Sequence, residues 1–159
     1  MNSQFELATF GAGCFWGVEA RFRELNGVLE ATSGYMGGEA HPNYQAVCTG
    51  TTGHAEVVQV RFDPGQVNYE SLLALFFDMH NPTTLNRQGP DIGSQYRSVV
   101  FYHGEDQANT ARQAIVEINQ SKRWPQPAVT EVQTAMTFWP AEEYHQRYLE
   151  KHGLGSCSI

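Results

Sequence analysis

Apolar and polar positions alternate along the chain in short blocks separated by glycine- and proline-rich breaks. Phe5 to Gly11 has the pattern of a short strand, broken by Gly11-Ala12-Gly13. Phe15, Val18, Phe22 and Leu25 then recur at helical spacing, which predicts a helix from Phe15 to Leu25 that ends at Asn26-Gly27. Val28 to Tyr35 reads as a second strand, closed by Gly37-Gly38, and Glu39 to His54 reads as a loop. Ala55 to Phe62 alternates as a third strand and stops at Asp63-Pro64-Gly65. Tyr69 to Met79 is an apolar helix, whereas Asn81 to Ser94 has little periodicity and reads as a long loop. Tyr96 to His103 is another strand, Glu105 to Lys122 a helix, Val129 to Ala135 a last strand and Ala141 to His152 a last helix.

The predicted order is β-α-β-β-α-β followed by α-β-α. The first six elements fit a split βαβ, ferredoxin-like arrangement. The expectation is an α+β domain with one mainly antiparallel sheet and helices packed against it. A chain of 159 residues favours a single domain over 1–159, ending in a flexible Gly/Ser tail at 153–159. An apolar fraction of 41% argues against disorder. The net charge of −7, spread along the chain, is unlike the clustered Lys and Arg of a nucleic-acid-binding surface. The first residues lack a basic, then apolar, secretory pattern, and the longest apolar run, Leu72 to Phe77, is far short of a membrane span. These features give a cytoplasmic protein with no nucleic-acid or membrane partner as the expectation, and a monomer as the expected assembly.

Three cysteines, Cys14, Cys48 and Cys157, lie far apart, and no Cys-x-x-Cys pair suggests a zinc ribbon or a thioredoxin-type motif. Cys14 follows Gly11-x-Gly13 and directly precedes the first helix. The first turn of a helix offers unpaired N–H groups and a positive partial charge, which favour the thiolate, the reactive form. The neighbouring glycines would let a substrate approach the sulfur. A buried structural cysteine is the other reading of the same residue. Two further Gly-turn chemistries fail on register. A dinucleotide loop needs glycine where Trp16 stands, with Gly17 one place late, and a phosphatase loop needs arginine where Ala20 stands, with Arg21 one place too far.

Alternation puts Glu56 on the same face as Val58, Val60 and Phe62. If it is buried there, its pKa rises and it becomes a proton donor near neutral pH; if the strand end frays, it simply reaches water. Among the aromatics Phe15, Trp16, Tyr44 and Tyr96, the two phenols can donate a hydrogen bond into an apolar pocket, although each ring is also explained by core filling. Asp91, in Gly89-Pro90-Asp91-Ile92-Gly93, is accounted for by turn chemistry alone. Cys157 lies in the tail, badly placed for packing and well placed to swing towards another sulfur, whereas Cys48 reads as structural. The six histidines, His54 and His80 included, show no metal-site spacing.

Several blocks together resemble the A class of peptide methionine sulfoxide reductases. They are Gly13-Cys14-Phe15-Trp16-Gly17, Gly34-Tyr35-Met36-Gly37-Gly38, Pro42-Asn43-Tyr44, Val47-Cys48, Thr52 to Val58, Asn86-Arg87-Gln88-Gly89 and Gln95-Tyr96-Arg97-Ser98, in the family's order. The resemblance implies that the Cys14 thiolate attacks the sulfur of methionine S-sulfoxide, free or in proteins. It also implies that Glu56 protonates the sulfoxide oxygen, that Tyr44 and Tyr96 hydrogen-bond it, and that Phe15 and Trp16 cradle the substrate's methyl group. Asp91 would order water near Cys14. Cys157 would resolve the resulting sulfenic acid as a disulfide, and thioredoxin would reduce that disulfide. No metal or organic cofactor is implied. Two departures stand out: Asn81 occupies a place where many relatives have Asp, with little effect expected, and no cysteine follows Cys157, so thioredoxin would attack the Cys14–Cys157 bond directly. A thiol peroxidase and a non-catalytic peptide-binding module are the rival readings. The aromatic cage and Glu56 weigh against a peroxidase, because peroxide has no methyl group to hold.

Overall fold

The computed structural model describes residues 5–13, 15–37, 54–88 and 91–141. Within them the elements are β1 (Glu6–Ala12), α1 (Phe15–Arg23), β2 (Val28–Met36), β3 (Ala55–Phe62), α2 (Tyr69–Asp78), β4 (Arg87–Gln88), β5 (Asp91–Ile92), a 3-10 turn (Ser94–Tyr96), β6 (Ser98–Tyr102), α3 (Glu105–Gln120), β7 (Glu131–Thr134) and β8 (Trp139–Pro140). Six strands form one sheet in the order β7-β6-β1-β3-β2-β8. All its pairings are antiparallel except that between β6 and β7, which is parallel, so the sheet is mixed and the fold α+β. Helix α1 carries the chain from β1 to β2 and leaves a gap that β3 fills.

Strand alternation sends two sets of side chains to opposite faces. Ala8 and Phe10 of β1, Val58, Val60 and Phe62 of β3, and Val100 of β6 form one core with Phe15, Val18 and Phe22 of α1 and with Leu72, Leu73 and Phe76 of α2. Phe10 is at its centre, with ring centroids 5.2 Å from Phe22 and from Phe76. Met36, Ala55, Val57, Val99 and Phe101 form a second cluster, joined by Ala135 and Phe138. The end of α1 is fixed by a buried carboxylate: Glu19 accepts hydrogen bonds from Arg23 Nε at 2.9 Å and from Ser33 Oγ at 2.7 Å, tying the helix to β2. Asn68 caps α2 by accepting a hydrogen bond from the Ser71 N–H at 2.8 Å.

The stretch from Asn81 to Ser94, expected to be a loop without secondary structure, contains the β4–β5 hairpin and the start of the 3-10 turn. Two-residue strands are too short to leave an alternation in the sequence. Tyr96 ends that turn rather than opening a strand, and β6 begins at Ser98. Helix α3 stops at Gln120, before the expected Lys122, whose φ of 58° is left-handed. Strand β8 was not expected. It docks where Gly34 lacks a side chain: a Cβ there would lie 2.5 Å from Phe138 Cε1 and from the Trp139 carbonyl oxygen. The expected loop over 39–53 and the expected helix beyond Ala141 lie outside the described residues, as does the tail. Because three rings close on Phe10, Phe10→Ala should lower stability by about 3–5 kcal/mol in urea denaturation. A loss under about 1 kcal/mol would contradict its central place in the core.

Candidate active site

The C-terminal end of β1 is where the chemistry-bearing elements meet. Ala12 pairs with Ser98 of β6 on one side, and on the other β1 runs beside β3, which carries Glu56. The chain then turns through Gly13, at φ 95°, a left-handed conformation that favours glycine, into the first turn of α1. Protein packs closely against the backbone of Gly11 and Gly13. A Cβ on Gly11 would sit 2.8 Å from Val99 Cγ1, and one on Gly13 would sit 3.0 Å from both Cβ and Cγ of Gln88.

Glu56 does not fray into water; it is 1% exposed. Its Oε1 accepts a 3.3 Å hydrogen bond from the backbone N–H of Phe15, the first residue of α1. Its Oε2 is sealed from solvent and has no hydrogen-bond partner among the described residues. Burial is the main cause that pushes its pKa up from 4.5 to about 8. The Phe15 N–H opposes that shift by stabilising the carboxylate, and the negative charge of Asp91 adds to it. At neutral pH Glu56 is therefore a carboxylic acid. Oε1 is engaged as an acceptor, which leaves Oε2 to carry the proton.

Of the other sequence-predicted residues, Asp91, Tyr96, Phe15 and Trp16 are among the described residues. Asp91 lies on β5, half-buried, close enough for its charge to act on Glu56. Tyr96 closes the 3-10 turn, which packs against β3 and β4, and its ring is half-buried. Phe15 is fully buried, with its ring 5.7 Å from Tyr35 and 6.3 Å from Trp16; core packing accounts for Phe15, whereas Trp16 at the core's edge stays partly exposed. Cys14, Tyr44, Cys48 and Cys157 lie outside the described residues.

Two buried polar residues at this junction carry no signal that periodicity could expose. His80 Nδ1 donates to the Phe76 carbonyl at 2.6 Å, so its Nε2 accepts from Ser98 Oγ at 2.7 Å, and Ser98 in turn lies 2.8 Å from Thr130 Oγ1. Burial pushes the His80 pKa down to about 4, so the ring is neutral and braces α2 against β6. Gln88 is the second, buried between Gly13 and the Asn81 turn. Asn81 Oδ1 only accepts, from Thr83 N–H and Thr83 Oγ1, so an aspartate would do the same work. Among the described residues no cluster of three His, Cys, Asp or Glu suits a metal ion. A cleft of about 680 Å³ between α2 and α3, floored by Leu73, Phe77, Ala114 and Ile118, shares no residue with the Glu56 site.

A raised carboxyl pKa sets a pH-dependent stability. Below about pH 4.5 Glu56 is protonated folded and unfolded; above it only the unfolded chain ionises, so stability is lost until the pH passes about 8. That loss is about 3 kcal/mol at pH 7. Glu56→Gln should therefore match wild type near pH 4 and gain on it progressively towards pH 8 in denaturation series. A difference independent of pH would contradict the raised pKa.

Comparison with known proteins gives a consistent answer. A sequence model of the family described as Peptide methionine sulfoxide reductase matches residues 6–159. The peptide methionine sulfoxide reductase MsrA of Geobacter sulfurreducens is 59% identical over 157 residues, covering 98% of this chain and 97% of that one. Its counterpart from Acidobacterium capsulatum is 58% identical over 153 residues, covering 96% and 98%. Among solved structures, reduced Mxr1 of Saccharomyces cerevisiae superposes with a TM-score of 0.90 at 35% identity, covering 98% of this chain and 90% of that one. Methionine sulfoxide reductase A of Corynebacterium diphtheriae gives 0.91 at 36% identity, covering 98% and 79%. With the match running from β1 through to Ile159, the chain belongs to the peptide methionine sulfoxide reductase family.

Proposed function

We propose that this protein reduces the S epimer of methionine sulfoxide, free or within proteins, with Cys14 as nucleophile and Glu56 as the acid that protonates the leaving oxygen. The observation that carries this reading is the buried, protonated Glu56, bonded to the N–H of the residue that follows Cys14. Cys14 directly precedes Phe15 in the chain, the residue whose N–H bonds Glu56. Selectivity for the S epimer follows from membership of the family.

The Cys14 thiolate attacks the electrophilic sulfur of the sulfoxide. As the S–S bond forms, negative charge grows on the sulfoxide oxygen. The Glu56 Oε2 proton neutralises it, and the Tyr44 and Tyr96 hydroxyls hydrogen-bond it. Trp16, backed by Phe15, holds the substrate methyl. The charge of Asp91 disfavours ionisation of Glu56 and so helps keep the acid loaded, in addition to ordering nearby water. The sulfoxide S–O bond and the transient S–S bond then break as the oxygen, now a hydroxyl, passes to the Cys14 sulfur; methionine leaves, reduced by two electrons, and Cys14 is left oxidised by two electrons as a sulfenic acid. The Cys157 thiol attacks Cys14, water departs and a disulfide forms, which the dithiol of thioredoxin reduces by exchange. This cycle suits a monomer in a reducing cytoplasm.

We also read residues 1–159 as one domain on a ferredoxin-like βαββαβ core. The order β6-β1-β3-β2 with antiparallel pairing throughout supports that reading, with β7, β8 and α3 as additions.

Mass spectrometry after one equivalent of methionine sulfoxide should find a Cys14–Cys157 disulfide, one methionine and a free Cys48. Full turnover by Cys14→Ser would sink the assignment. In single-turnover measurements the wild-type rate should fall as pH rises through about 8. Glu56→Gln should be slower by about 100-fold at pH 7 and lose that alkaline limb; a wild-type rate would remove Glu56 from the chemistry.

A further inference from the structure

The block Asn86-Arg87-Gln88-Gly89 marks the family, but nothing above gives it a task. Gln88 lies between the Asn81 turn, Gly13 and Asp91. It is 2% exposed, and both ends of its amide bond the backbone of Asn81, with a longer contact of 3.4 Å from Nε2 to Thr84 Oγ1. Oε1 accepts from the Asn81 N–H at 3.0 Å, and Nε2 donates to the Asn81 carbonyl at 2.6 Å. A side-chain amide bonded through both its oxygen and its nitrogen to the N–H and the carbonyl of one residue is held in plane and in depth. The apolar stem of the same side chain lies against Gly13, so closely that a Cβ on Gly13 would be 3.0 Å from both Cβ and Cγ of Gln88. Across the β4–β5 ladder Gln88 is the direct partner of Asp91, the residue whose charge acts on Glu56.

We propose that Gln88 is a positioning residue that sets the turn carrying Cys14 against the Asp91–Glu56 pair. The inference rests on the reading of Cys14 as nucleophile. Gly13 and Phe15 bracket Cys14. Phe15 is fixed by its hydrogen bond to Glu56 and by burial in the core, and Gly13 is fixed from outside by the Gln88 stem. The amide then refers that contact to the Asn81 turn, which His80 anchors next door through its bonds to Phe76 and Ser98. Removing the stem frees the Gly13 side of the nucleophile, while removing the amide lets the stem drift. Small displacements of a reacting atom are costly, so the effect should fall on the chemical step more than on substrate affinity.

The test compares Gln88→Ala, Gln88→Met and, as a control for general destabilisation, Ala111→Gly in the distant part of the core on α3. Single-turnover rates are measured at saturating methionine sulfoxide together with KM, and Cys14 is alkylated with iodoacetamide across pH. Gln88→Ala should slow the reductive step by about 30-fold with KM within about twofold, and should shift the pH midpoint of Cys14 alkylation. Gln88→Met keeps the stem and loses the amide anchor, so its rate should fall between the two. Ala111→Gly should keep the wild-type rate and alkylation profile at a comparable drop in Tm. A Gln88→Ala rate within twofold of wild type would overturn the proposal. So would Gln88→Met no faster than Gln88→Ala, or an equal loss in Ala111→Gly. If the wild type reduced no sulfoxide, the proposed function would fall, and the alkylation profiles would still decide the positioning role.

Discussion

The structure around the site turns on one buried hydrogen bond, from the N–H of Phe15 to Glu56 Oε1. An exposed glutamate would be ionised at neutral pH and useless as an acid. A buried one with several donors would also be ionised, because each N–H stabilises the carboxylate. Glu56 sits between these limits, with one backbone donor, near-complete burial and a second carboxylate, Asp91, near enough to oppose its charge. The balance leaves it protonated at pH 7, and the protein bears that burial as lost stability. A family whose substrate gains negative charge on a sulfoxide oxygen has a clear use for such a group.

The fold serves that balance directly. The order β6-β1-β3-β2 brings the end of β1, the start of β3 and the start of β6 together at one end of the strands. Phe10, Phe22, Tyr69 and Phe76 hold α1 and α2 on the face that Glu56 shares with Val58 and Val60. The helix N-terminus therefore meets the carboxyl because the core fixes the height of α1 over the sheet. His80, neutral and bonded at both nitrogens, closes the same corner from α2.

Much of this was legible in the sequence, and for physical reasons. Long elements with strong periodicity, such as Ala55 to Phe62 and the helix beginning at Tyr69, lie where alternation and helical spacing placed them. The anomaly of Glu56 on an apolar face pointed to its burial, although only the tertiary structure excluded the frayed alternative. The β4–β5 hairpin and β8 escaped because two-residue strands carry no period. Gln88 escaped because its role depends on the Asn81 backbone and on the absent side chain of Gly13, contacts that no pattern along the chain records. The close packing of Val99 and Gln88 against Gly11 and Gly13 likewise left no mark along the chain. Local physics reached the expectation of a reactive thiol at Cys14 and a mobile one at Cys157; the family resemblance supplied the sulfoxide as their expected target and the expected role of Tyr44.

The central claim is that Glu56 is an un-ionised acid at the pH where the enzyme works. Infrared difference spectra of wild type against Glu56→Gln, recorded from pH 5 to pH 9 in the absence of substrate, test it most directly. A protonated carboxyl band that persists at pH 7 and disappears with a midpoint near 8 is the predicted result. A carboxylate band already complete by about pH 6, as for a solvated glutamate, would contradict it.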